Sequence, residues 1–163
     1  MFRFISYLKF LLESKNQHGV HSPFVFDFVT KGLYQKLPKN MGLSQYERLE
    51  LLSKKEQKIL SKTINYFKID AIHTEIKTDL KTQEKKHRLL YISNINNINS
   101  ILNDELVSNY FIVIHNIHKN KQTQQKWLKI IQKNNATVTI DLFYFGLIFF
   151  RVSQAKEHFI IRV

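Results

Sequence analysis

Glycine is scarce in this chain. Only Gly19, Gly32, Gly42 and Gly146 occur in 163 residues, and no two lie close enough to build a phosphate or nucleotide cradle. Such a cradle needs glycine so that the backbone can approach the ligand with positive φ. Cysteine is absent, which excludes disulfides, thiolate metal sites and a cysteine nucleophile. The longest apolar run, Leu142–Phe150, falls short of the about twenty residues a transmembrane helix needs. The opening segment MFRFISYLKFLLESKNQ carries Arg3 and Lys9 and has no small-residue cleavage site, so no signal peptide is expected. The expectation from these absences is a soluble, cytoplasmic protein with no membrane span.

What is present is a basic, hydrophobic chain of a length that suits one domain with a real core. Its 44% hydrophobic content argues against disorder. Twenty-five Lys and Arg against thirteen Asp and Glu give a net charge of +12. That balance suits nucleic acid or an anionic surface. The basic residues are scattered, however, and are rarely interleaved with aromatics that could stack on bases. A solvated lysine-rich surface is the first reading and a nucleic-acid module the second.

The N-terminal part reads as helices. Phe4, Leu8, Leu11 and Leu12 recur at helical spacing, which predicts an amphipathic helix over residues 3–14, packed on its own domain. Ser22 followed by Pro23 marks a second helix start, running to about Gly32 with Phe24, Val25 and Phe28 inward. His18 and His21 beside Gly19 are read as hydrogen-bonding residues of the preceding turn. Pro38 and Gly42 mark a loop. Residues 44–67 are then expected as helix, in one piece or two, with Leu49, Leu52, Ile59, Leu60, Ile64 and Phe67 buried. Lys54, Lys55, Lys58 and Lys62 should cover its outer face, as a solvated stripe first and a phosphate-binding stripe second.

From about residue 68 strands and helices alternate. Strands are expected at Ala71–Ile76, Leu89–Ser93, Phe111–His115, Thr137–Leu142 and Leu147–Arg151, with Phe159–Val163 closing the sheet and Gly146 at a turn. Helices are expected at Asn94–Leu106 and at Asn120–Lys133, the latter with Trp127, Leu128, Ile130 and Ile131 inward. This alternation predicts an α/β sandwich of about five strands, mainly parallel. The last strands have too little sequence between them for a helical crossover, so they should pair antiparallel. The whole reads as one domain, a helical extension over 1–67 on a core over 68–163.

HGVHSPFVFDFVT (His18–Thr30) and TVTIDLFYFGLIFFRVSQAKEHFIIRV (Thr137–Val163) closely resemble a group of class I S-adenosylmethionine-dependent methyltransferases. That group has a helical N-terminal extension on a Rossmann-like domain. FIVIHNIHKNKQTQQKW (Phe111–Trp127) resembles it too, at Ile117, His118 and Trp127. The resemblance implies a cofactor held where the first strand runs into an acidic residue and a glycine-rich turn. In NYFKIDAIHTEIKTDL (Asn65–Leu80) the acidic position falls on Thr74 and the glycines on Ile76 and Leu80. A branched side chain at a turn glycine blocks backbone approach and disfavours positive φ. Glu75, one place along, could restore the acid but not the glycines.

Relatives carry two further strand–helix units at this point, one of which ends in the acid that grips the ribose. Here only Lys77–Arg88 precedes the next strand. A parallel crossover takes about a dozen residues, so one short crossover fits at most. The acidic end of the next strand falls on Ser93, and the paired acids that hold a divalent cation in metal-assisted relatives fall on His115 and Asn116. Hard cations want carboxylate oxygens. His115 and His118 could instead share a zinc ion, but a third ligand among Asp104, His73 and His87 is not evident.

The resemblance and these losses together imply a shortened, degenerate, non-catalytic methyltransferase-like protein, a pseudoenzyme without S-adenosylmethionine, acting through a protein partner or a homodimer. An active methyltransferase with an atypical or oligomer-completed site is the alternative, and a basic nucleic-acid module the next. Removing strands leaves an unpaired sheet edge, which residues 1–35, the Lys77–Arg88 connector or a second copy could cover.

Overall fold

The structure is a computed structural model that describes residues 1–37, 49, 51–75, 88–102, 110–133, 135–151 and 154–163. The chain divides into two compact units, one of residues 1–15 and 70–162, the other of residues 16–69 with Val163.

The first unit is an open α/β Rossmann-like sandwich around a six-stranded mixed sheet. Its strands are β1 (Ala71–His73), β2 (Arg88–Ile92), β3 (Phe111–His115), β4 (Val138–Asp141), β5 (Phe145–Phe149) and β6 (Glu157–Ile160), in the order β1-β2-β3-β5-β4-β6. β1, β2 and β3 pair parallel, and β5 pairs antiparallel with both β3 and β4. The expected antiparallel C-terminal pair is therefore β4 with β5. β6 differs: it pairs parallel with β4, Val138 facing Glu157. No crossover helix is required, because Phe149 at the end of β5 already lies beside Val138 at the start of β4. The chain only has to pass that one end of β4 to begin β6.

β2 and β3 are buried apolar runs, as strands covered on both faces are. Leu90, Ile92, Ile112, Ile114 and Ile148 pack with Ile98, Ile117, Trp127 and Ile130 in one core cluster. Ile98 belongs to a short helix, α4 (Ile98–Leu102), and Trp127 and Ile130 to α5 (Lys121–Ile131). A reciprocal cap starts α5: the Asn120 side chain accepts from the Thr123 N–H at 2.9 Å, and the Thr123 hydroxyl accepts from the Asn120 N–H at 3.1 Å. Leu128, expected inward, is 52% exposed. It follows Trp127 directly, and adjacent helix positions do not share a face.

Gly146 lies within β5, not at the turn. The turn falls at Leu142–Tyr144, where the Leu142 N–H donates to the Phe145 carbonyl at 2.9 Å. Gly146 is in the strand because the Trp127 ring lies on it: a Cβ there would stand 2.8 Å from two ring carbons.

The first helix, α1 (Phe2–Glu13), belongs to the sheet unit and is turned over relative to the expected face. Its buried residues are Ser6 and Phe10. Phe4, Leu8 and Leu12, three of the four residues expected to pack, are 67%, 46% and 88% exposed. Tyr7 and Phe10 pack on Phe143, with ring centroids 4.8 and 5.4 Å apart. Beyond α1, Lys15 bridges Ile161 in parallel and so extends the β6 edge. β1 is the opposite edge strand; the connector proposed to cover it, except Arg88, lies outside the described residues.

The second unit is helical. α2 (Pro23–Asp27) continues into a π-helical segment, Phe28–Leu33. Pro23 occupies the first turn and Ser22 the cap position, although its side chain makes no capping bond. Val25 and Phe28 are fully buried. α3 (Lys54–Phe67) follows; the expected earlier part of this helix, and the loop at Pro38 and Gly42, lie outside the described residues apart from Leu49 and Leu51–Ser53. The Phe28 ring packs on Phe67 and Tyr66 at 4.9 and 5.3 Å. Lys62, expected on the outer face, is buried, and its ammonium donates to the Leu33 carbonyl.

Ser53 starts α3 with a capping box: Glu56 Oε2 accepts from the Ser53 N–H at 2.8 Å, and Ser53 Oγ accepts from the Glu56 N–H. Ser53→Ala should lower stability by about 1 kcal/mol, read from the urea midpoint at unchanged slope.

Candidate functional site

In an open α/β sheet, ligands bind beyond the carboxyl ends of the strands. Beyond β1, Thr74 and Glu75 are exposed, and Ile76 and Leu80 lie outside the described residues. β2 runs into exposed Ser93 and then Asn94, whose side chain accepts from the Asn96 N–H at 3.0 Å. β3 ends at His115, whose ring lies 5.2 Å from Phe145 and 6.2 Å from Tyr91. Asn116 follows with φ of 58°, a left-handed conformation that asparagine tolerates. Its N–H donates to the Tyr144 carbonyl at 2.7 Å.

Ser93, His115 and Asn116 come together on a cleft of about 230 Å³, completed by Lys119, Asn120 and Thr123 among others. Thr74 does not line it. No carboxylate appears among the described lining residues. The cleft offers hydroxyls, amides, one imidazole and one ammonium. Pockets that enclose drug-sized ligands occupy about 300–1,000 Å³. Hard cations want carboxylate oxygens, so this set of described lining residues suits magnesium poorly.

A second polar cluster lies buried between α1 and the ends of β3 and β4. The Asp141 carboxylate accepts from His118 Nε2 at 2.7 Å, and His118 Nδ1 lies 2.8 Å from Ser6 Oγ. With the proton on Nε2, Nδ1 is the acceptor for the Ser6 hydroxyl and for the Gln124 amide at 3.2 Å. The imidazole stacks on Phe143 at 5.0 Å and 10°. Ser6, His118 and Asp141 are 5%, 7% and 4% exposed.

Hydroxyl, imidazole and carboxylate in a chain suggest an activated nucleophile. The geometry argues for packing instead. Ser6 sits in mid-helix, enclosed, and the adjoining space is about 120 Å³. The network fastens α1 to the sheet. Asp141 also holds the β4–β5 turn, since its Oδ1 accepts from the Phe143 N–H at 2.8 Å while Phe143 adopts φ of 68°.

Both nitrogens of His118 are engaged in these bonds, so it does not pair with His115 as a ligand set. No group of three or more His, Asp or Glu able to hold a metal occurs among the described residues. Asp104 and His87 lie outside them, and His73 packs edge-on to Tyr110 at 5.5 Å.

Ser6, Gln124 and Asp141 were not singled out from sequence. Asp141 left a trace there, as a lone acid in the apolar stretch Thr137–Phe150. Ser6 left none. Compared with protein-family models, curated proteins and solved structures, the chain matches none. No helix among the described residues is long and apolar enough to cross a membrane.

Proposed function

We propose that this chain is a degenerate class I methyltransferase-like protein that does not use S-adenosylmethionine and acts through protein interaction. The observation that carries this reading is the strand-end cleft, with Ser93, His115 and Asn116 where the resembled family has acids, and with no carboxylate among its described lining residues. The outward apolar side chains of α1 support the interaction half, since contiguous exposed apolar surface marks contact with another protein.

Calorimetry of the full chain with S-adenosylmethionine should give no heat of binding at micromolar concentrations. Transfer of a labelled methyl group to an acceptor panel should stay at background. Micromolar binding, or transfer to any acceptor, would refute the reading.

A further inference from the structure

We infer that the lysine-lined cleft of the helical unit binds a nucleoside di- or triphosphate. The cleft encloses about 560 Å³, within the range of ligand pockets. Lys54, Lys58 and Lys62 lie one helical turn apart along α3 and share one face, with Lys55 beside them. Leu33, Ile59 and Val163 supply apolar lining, and Tyr34, 40% exposed, lines the cleft with them. No carboxylate side chain lines the cleft among the described residues.

The arrangement is electrostatically expensive when empty. Lys62 is buried, and burial together with the neighbouring Lys58 charge pushes its ammonium below the usual lysine range. Lys54 stands at the first position of α3, where the helix dipole disfavours a cation. The one acid in that turn, Glu56, is committed to the cap and does not line the cleft. Lys54 and Lys58 make no ion pair among the described residues. A polyphosphate would offset all of these costs, because ammonium–phosphate bonds are charge-assisted. Tyr34 brings to the same lining an aromatic side chain, the residue type on which bases stack. The cationic chemistry belongs to the helical unit alone and does not depend on the methyltransferase-like reading.

The test is calorimetry of the full chain with ADP and with inorganic tripolyphosphate at low salt. Both should bind, ADP more tightly. Lys54→Glu/Lys58→Glu, at two exposed positions, should weaken both by about a hundredfold while leaving the circular dichroism spectrum unchanged. Tyr34→Ala should weaken ADP alone. The inference fails if ADP gives no binding at millimolar concentration, or if the lysine variant binds it as tightly as the parent. It also fails if a single-stranded oligonucleotide binds more tightly than ADP, which would make this face a nucleic-acid surface.

Discussion

Replacing His118 by alanine is expected to lower stability by about 3–5 kcal/mol. The ring is the partner of the buried Asp141 carboxylate at 2.7 Å and of Ser6 at 2.8 Å. Among the described residues, alanine leaves a carboxylate that is 4% exposed with only the Phe143 N–H. An uncompensated buried charge costs far more than the pair contributes when intact. The stacked Phe143 ring and the Phe10 edge contact are lost as well. For a chain of this size the melting temperature should fall by about 8–15 °C. Asp141→Asn should cost less, because an amide carries no charge to strand. The His118→Leu/Asp141→Leu double variant should be more stable than the sum of its single losses. It should remain below the parent, since Phe143 at positive φ still loses the acceptor for its N–H. Urea unfolding of the set decides this. A loss under about 1 kcal/mol for His118→Ala would mean that the network contributes little.

Gly146→Val is expected to disrupt the sheet, and even Gly146→Ala should cost about 1–3 kcal/mol. Gly146 has no positive φ, so the constraint is space alone. A Cβ would stand 2.8 Å from Cη2 and Cζ3 of Trp127 and 3.0 Å from Cε3. The backbone cannot retreat, because β5 is hydrogen-bonded on both sides, with Gly146 opposite Ile114 on one and Asp141 on the other. The indole cannot retreat either, being 1% exposed within the core cluster. Trp127→Leu should restore most of the loss when added to Gly146→Ala, and should itself destabilise the parent by opening a cavity. Trp127 Nε1 has no hydrogen-bond partner among the described residues, so the change removes packing. Additive losses in this cycle would show that the two residues do not compete for one volume.

The type and order of most elements were legible before folding. Alternating apolar runs and helical periods give the α/β alternation, and Asn120 announces the start of α5. The strand-end residues Ser93, His115 and Asn116 were also legible, because a strand and the turn after it are local. Other features were not. The glycine at 146 reads as a turn because glycine suits turns, yet it serves a tryptophan that precedes it on α5. Lys62 reads as solvent-facing because lysine is charged; its partner is a carbonyl at the end of another helical segment. In α1 the apolar residues run nearly all round the helix, so periodicity could not choose a face.

From the chain alone follow the absence of thiol chemistry, the want of a glycine cradle, the α/β class and the helix starts, because each depends on residue type or on neighbours a few positions away. Folding settled which side of α1 turns inward, which lysine is buried and what His118 touches. Those outcomes depend on pairs such as Ser6 and His118, separated by 112 positions, whose meeting is dictated by how the sheet and helices pack and not by any local preference.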